Sequence, residues 1–127
     1  MTKLSHIVIP VGDLQSSRDW YVEKLGFTLE DERGDIVRIR DAGGLTISLQ
    51  EAGGSLASAK VTLTIEVENV DKSFQELKSA GVQFLNPPRV LFWGYGAEVL
   101  DPDGYMNRLW DRESMNKDTE RRVRETR

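Results

Sequence analysis

The chain has 127 residues and no cysteine. That absence excludes a disulfide framework and any thiolate site for zinc or an iron–sulfur cluster. Long hydrophobic runs are missing too: no window approaches the roughly 18 apolar residues a membrane span needs. The first residues, Met1 to His6, lead straight into a strand-like segment without the apolar stretch of a signal peptide, so a cytoplasmic protein is expected. Clustered positive charge is absent from the body of the chain. Residues 112–127 carry six Lys/Arg and four Asp/Glu, and the overall net charge is −4, so the preceding 111 residues hold −6. An acidic body argues against a nucleic-acid groove, where affinity comes from clustered cations. Neither a nucleic acid nor a membrane is an expected partner.

An apolar fraction of 39 % with 30 % charged residues is ordinary for a globular protein and argues against disorder of the whole. The length suits one structural domain with a real core. Within it the sequence repeats itself. His6-Ile7-Val8-Ile9-Pro10-Val11 reads as a β-branched strand, Gly12-Asp13 as a turn and helix cap, and Leu14 to Leu25 as a helix closed by Gly26. An offset of 56 residues brings the pattern back: Thr62 to Val67 is a strand, Asn69 stands where Asp13 stood, and Val70, Phe74 and Leu77 mark a helix face closed by Gly81.

Short strands follow each helix. In the first half they are expected at about 27–32, 35–40 and 45–51, with turns at Arg33-Gly34 and Gly43-Gly44. In the second half they are expected at about 82–86, 96–100 and 105–111, separated by Asn86-Pro87-Pro88 and Asp101-Pro102-Asp103-Gly104. The fold class is therefore α+β, with two tandem βαβββ modules at 1–51 and 61–111 and a small-residue linker at 52–60. Residues 112–127 form a charged tail whose Glu113/Lys117, Asp118/Arg122 and Glu120/Arg124 spacings fit an exposed helix or a frayed end, or a helix laid against a second subunit.

His6 with Val8-Ile9-Pro10-Val11, Asp13-Leu14, Ser17 and Trp20-Tyr21-Val22-Glu23-Lys24-Leu25-Gly26-Phe27 resembles the opening of vicinal oxygen chelate proteins, the glyoxalase/bleomycin resistance/dioxygenase superfamily. Trp93-Gly94-Tyr95-Gly96, Asp101-Pro102-Asp103-Gly104-Tyr105 and Leu109-Trp110 resemble their closing hairpin. The similarity covers about residues 4 to 111. The Asp-Pro-Asp-Gly turn has a structural job whatever the family, because proline fixes φ, aspartates bond backbone amides and glycine accepts positive φ.

The resemblance implies curled mixed sheets around a cleft, usually a homodimer, and in enzymatic members a divalent metal held by His, Glu or Gln from four positions. Carried onto this chain, those positions are His6, Ser48, Thr62 and Arg108, with Ser48 placed by aligning Ile47-Ser48-Leu49 on Asn107-Arg108-Leu109. Imidazole can bind a metal. Two neutral hydroxyls are weak ligands, and a permanent guanidinium cation repels a divalent ion. His6 is the sole surviving family ligand, and the expectation is that no metal or other cofactor is bound. A divalent metal held by His6 with Gln50 or Glu66 is the alternative. Pro10 occupies a place where glutathione-handling relatives can carry a binding arginine, so glyoxalase activity itself is not expected.

Alternate positions along the strands predict an inner wall of His6, Val8 and Pro10; Thr46, Ser48 and Gln50; Thr62, Thr64 and Glu66; and Met106, Arg108 and Trp110. Arg108 can recognise a carboxylate, phosphate or enolate oxygen bidentately, or form a structural ion pair with Glu66 or another acid. His6 can act as acid or base, or sit in the core satisfied by a neighbouring hydroxyl. Phe92, Trp93 and Tyr95, with Trp110, can stack on a planar ligand or fill the core. The ligand-binding candidates are His6, Ser48, Gln50, Thr62, Thr64, Glu66, Phe92, Trp93, Tyr95, Arg108 and Trp110, with His6 and Arg108 the catalytic candidates. The aromatic-glycine hairpin resembles antibiotic-resistance members that sequester a drug without a catalytic metal. The expected function is accordingly metal-free binding of a small, antibiotic-like or aromatic molecule. Two alternatives stay open: an enzyme of lyase, isomerase or dioxygenase type, and a regulatory module for an ordinary metabolite.

Overall fold

The computed structural model describes residues 5–52 and 61–125. The expected linker lies outside them except for Ala52. The chain is α+β and divides into two compact units, Met1–Val61 and Thr62–Arg127. Each contains a curled, mixed four-stranded sheet.

In the first unit, β1 (Ile7–Val11) leads to α1 (Leu14–Asp19), which passes into a π-helical turn over Trp20–Lys24, and then to β2 (Thr28–Arg33), β3 (Ile36–Arg40) and β4 (Thr46–Glu51). The sheet order is β1-β4-β3-β2, with β1 parallel to β4 and the other pairs antiparallel. Asp13 caps α1 by accepting from the Ser16 amide at 2.9 Å. Gly26 has φ of +74°, a backbone conformation that suits a helix-terminating glycine. Strand alternation buries Ile9, Val11, Val37, Ile39, Ile47 and Leu49 on one face of the sheet, where α1 packs on β3 and β4. Each such side chain contributes about 1.5–3 kcal/mol when fully buried. Tyr21 and Phe27 close this core, their ring centroids 5.7 Å apart.

The second unit repeats the plan with β5 (Leu63–Glu66), α2 (Val70–Ser79), β6 (Gln83–Leu91), β7 (Gly94–Leu100) and β8 (Met106–Trp110), then adds α3 (Arg112–Glu125). Its sheet order is β5-β8-β7-β6. Asn69 caps α2 through the Lys72 amide at 3.0 Å, as Asp13 does for α1. Ala97, Val99 and Leu109 are buried on the helix-covered face, Val70 of α2 is buried too, and Phe74 meets Phe84 edge-on at 4.8 Å. The Asp101 carboxylate accepts from the amides of Asp103 at 2.9 Å and Tyr105 at 2.8 Å. Gly104 takes a φ of +84°, so this turn has the structural job its composition suggests.

One local expectation is corrected, and one open alternative is narrowed. Asn86-Pro87-Pro88 is not a turn between strands: β6 runs through it to Leu91, and the hairpin turns at Phe92-Trp93. The prolines are tolerated because β6 is an edge strand and its register shifts between Phe84 and Asn86 and again between Asn86 and Arg89. Those irregularities remove the need for two ladder N–H groups. Of the readings open for the tail, Arg112–Glu125 takes the helical one and is not wholly solvated. It forms α3, packs against β7 and buries Asp118, which is 6 % exposed.

Candidate functional site

The open face of each sheet, opposite its helices, is set by strand register. In the second unit one row across the sheet reads Thr64, Arg108, Glu98 and Asn86. In the first unit the matching row reads Val8, Ser48, Arg38 and Asp31. Ser48 faces Val8 as Arg108 faces Thr64, so the internal duplication places Ser48 and Arg108 at equivalent points of their sheets.

Arg108 is the centre of the second open face. Its guanidinium carbon lies 5.3 Å from the Phe92 ring centre and 5.6 Å from the Trp93 ring centre, within the range of cation–π attraction. Its Nε stands 3.7 Å from Glu98 Oε2, with the two side chains 25 % and 14 % exposed. That is an ion pair without a hydrogen bond, and the buried Nε has no hydrogen-bond partner among the described residues. The partner acid is Glu98. Glu66, the acid expected in the structural-pair reading, instead pairs with Arg112 at 3.2 Å. Trp93 donates its indole N–H to the same Glu98 oxygen at 3.3 Å. Its ring lies over Gly96, where any Cβ would overlap both the Trp93 ring and the Leu109 carbonyl oxygen. Gly96 is thus the seat that brings an indole onto the sheet beside Arg108.

Thr64 is exposed and in register with Arg108. Glu66 and Trp110 form the next row, with the Arg112 guanidinium 5.1 Å over the Trp110 ring. Phe92, at the turn, is 81 % exposed. Tyr95 is not brought to this face. It has the strand parity of Ala97 and Val99, and its hydroxyl donates to Asp71 of α2 at 2.7 Å. Burial, reinforced by that hydrogen bond to a carboxylate, pushes the Tyr95 hydroxyl up to about 12. Thr62 is exposed just before β5.

The remaining candidates lie in the first unit. His6 is exposed rather than core-facing, with the Ser5 hydroxyl 3.0 Å from its Nδ1. Gln50 is exposed between Pro10 and Ile36 in register, and Ser48 is 2 % exposed with no partner for its hydroxyl among the described residues. Sequence reasoning missed Glu98 and Arg38, which sit on the third strand of each module. The alternation Val37-Arg38-Ile39-Arg40 carried the signal for Arg38.

These residues do not fit the divalent metal of the family's enzymatic members. A buried serine hydroxyl, an exposed threonine and a cationic arginine beside two aromatic rings occupy three of the four positions, and the imidazole is hydrogen-bonded to its neighbour. Among the described residues no group of three or more His, Asp or Glu side chains could hold a metal ion.

Two cavities of about 300 and 320 Å³ lie elsewhere in the second unit. One is bounded by Val90, Tyr95 and α3, the other by Phe74, Phe84 and Pro87 among its walls. Neither is lined by Arg108, Phe92 or Trp93.

Residues 3–109 match the model of the Glyoxalase/Bleomycin resistance protein/Dioxygenase superfamily, and the chain belongs to that family. An uncharacterized protein of Shewanella frigidimarina is 27 % identical over 87 % of this chain and 92 % of its own. The fold is similar to that of a possible glyoxalase from Bacillus cereus, with a TM-score of 0.71 and 23 % identity over 86 % of this chain and 98 % of that one. It is equally similar to a superfamily member from Sphaerobacter thermophilus, with a TM-score of 0.71 and 23 % identity over 88 % of this chain and 98 % of that one. At such identities the structural likenesses bear on the fold alone.

Proposed function

We propose that this protein binds a small organic molecule carrying a planar ring and an acidic oxygen group, on the open face of its second sheet and without a metal. The observation that carries this reading is Arg108: a side chain a quarter exposed, its guanidinium 5.3 and 5.6 Å from the Phe92 and Trp93 ring centres and paired with Glu98 only at 3.7 Å. Its terminal nitrogens make no hydrogen bond to a described residue. A guanidinium fork with its terminal nitrogens unbonded to described residues suits a carboxylate or an enolate-type oxygen. The exposed Phe92 ring and the Trp93 indole offer faces on which a ring can stack. Antibiotic-like aromatic acids belong to this ligand class. Family members are often dimers, which supports a homodimer as the working form.

The test is a titration of the full chain with naphthalene-2-carboxylate, read by tryptophan fluorescence, with 2-methylnaphthalene as the uncharged control. Saturable quenching by the acid alone, lost in Arg108→Gln, is the expected result. Equal quenching by both compounds, or an unchanged response in Arg108→Gln, would overturn the reading. Turnover of a bound ligand would favour the enzymatic alternative, in which Arg108 steadies an oxyanion.

A further inference from the structure

Glu98 faces two donors with one oxygen. Its Oε2 accepts from the Trp93 indole N–H at 3.3 Å and stands 3.7 Å from Arg108 Nε. Only the first contact is a hydrogen bond. A charge-assisted N–H···O bond closes to about 2.7–2.9 Å, so the carboxylate stops short of the stronger partner. Arg108 Nε is buried and makes no hydrogen bond to a described residue, which costs stability. The strand pairing does not forbid a closer approach, because Glu98 and Arg108 stand directly opposite each other on β7 and β8. Something holds the acid away.

The restraint is on the Trp93 side. Among the described residues the Glu98 carboxylate has no further hydrogen bond or ion pair. Asn86, in register with Glu98 on its other flank, donates its side-chain amide to the Pro87 carbonyl at 2.9 Å instead. The indole is itself anchored: its ring rests on Gly96, and Arg122 grips the carbonyls of Leu91 and Phe92 just before it. An arginine only a quarter exposed needs a counter-charge. Glu98 supplies one at a distance that leaves the guanidinium N–H groups unfilled by described residues.

We propose that Trp93 is a positioning residue whose indole N–H holds Glu98 off Arg108 and so keeps the guanidinium open to an incoming acid. Glu98 is the internal competitor. Released from the indole, its carboxylate closes the remaining gap, takes Nε and one terminal nitrogen as a fork, and blocks the site from within. Of the two rings beside the cation, only Trp93 carries a donor that can do this. The consequence for binding rests on the Arg108 reading; the contact between Trp93, Glu98 and Arg108 needs no ligand.

The test follows the Arg108 Nε–H signal of the full chain by NMR, first without any ligand. Trp93→Phe keeps a ring beside the cation and removes only the indole N–H. In that variant the Nε–H resonance is expected to move downfield and to exchange with water about threefold or more slowly, as Glu98 takes it. Adding Glu98→Ala removes the acceptor and reverses both changes. An Nε–H signal unmoved in Trp93→Phe overturns the proposal, whether or not any acid binds. The second arm titrates naphthalene-2-carboxylate and reads the Gly96 amide. Trp93→Phe is expected to bind it about threefold or more weakly than the parent chain. The double variant, Trp93→Phe with Glu98→Ala, is expected to bind at least as tightly as the parent. A double variant as weak as Trp93→Phe means that the indole acts by stacking alone, and overturns the proposal. A parent chain that ignores naphthalene-2-carboxylate defeats the Arg108 reading, and the ligand-free Nε–H comparison still decides this one.

Discussion

Arg122 of α3 donates from Nη2 to the carbonyl of Leu91 at 2.7 Å, and from Nη1 to the carbonyl of Phe92 at 3.3 Å. The same guanidinium is held from behind by the nearly buried carboxylate of Asp118, 2.9 Å from its Nε, and Asp118 also takes Arg121 at 2.9 Å. The last helix therefore fixes the backbone of the turn that presents Phe92 and Trp93. Arg122→Ala is expected to cost about 1 kcal/mol, since the bond is charge-assisted but half in solvent. Its larger effect is faster amide exchange over 91–94 with weaker quenching by ring acids. Unchanged exchange in that turn would show that α3 does not position it.

Asp111 joins two helices. Its carboxylate accepts from the Val70 amide at 2.7 Å and the Ser114 amide at 2.7 Å, so it caps α3 and satisfies the first turn of α2 together. Asp111→Ala is expected to cost about 2–3 kcal/mol, one cap plus an orphaned buried amide, measured by urea unfolding.

Acid should act on that residue as well. Burial, the largest influence on Asp111, raises its pKa, but the hydrogen bonds from Val70 and Ser114 and the nearby Lys117 outweigh it and hold the carboxyl below its ordinary value of 3.8. A carboxylate depressed in the folded state contributes stability that is complete above its unfolded value and is lost as pH falls through the folded one. Below about pH 4, Asp111→Asn should lose less stability per unit of pH than the parent chain. Parallel acid limbs would contradict this.

At the alkaline end Tyr95 plays the opposite part. Its hydroxyl, raised from 10.0 to about 12 by burial and then by Asp71, stabilises the fold fully below pH 10. That contribution is lost as pH climbs through the folded value. Tyr95→Phe should remove this alkaline component, and the late-titrating part of the tyrosinate absorbance, to which Tyr105 also contributes because burial raises its hydroxyl too, should shrink in that variant.

Gly96→Ala tests the indole seat. A methyl group there overlaps the Trp93 ring and the Leu109 carbonyl oxygen. Stability should fall by about 1–3 kcal/mol, with tryptophan emission shifting red as Trp93 is displaced. Wild-type emission in a stable Gly96→Ala protein would mean that Trp93 does not lie on the sheet.

Much of the fold was legible because duplication constrains it. Asp13 and Asn69 cap matching helices, and alternation told Ile9 and Ile47 from Val8 and Ser48 in facing direction. Legibility ended where tertiary context overrode local signals. Pro87-Pro88 reads as a break, but an irregular edge strand absorbs it. The i,i+4 charges of the tail hid Asp118, whose burial depends on a surface contributed by β7. Tyr95 was grouped with Phe92 and Trp93 by proximity in sequence, though strand parity sends it to the helix side. Arg38 and Glu98 were missed because only the first and last strands of each module were counted as walls, while the register carries the row one strand further.

The central claim is that Arg108, not a metal, organises the second open face. Metal analysis of the purified chain, after incubation with excess zinc, nickel, manganese and iron(II) and removal of free ion, tests it most directly. The account predicts no metal above trace and an unfolding curve unmoved by chelator. Near-stoichiometric retained metal, lost in His6→Ala, would contradict it.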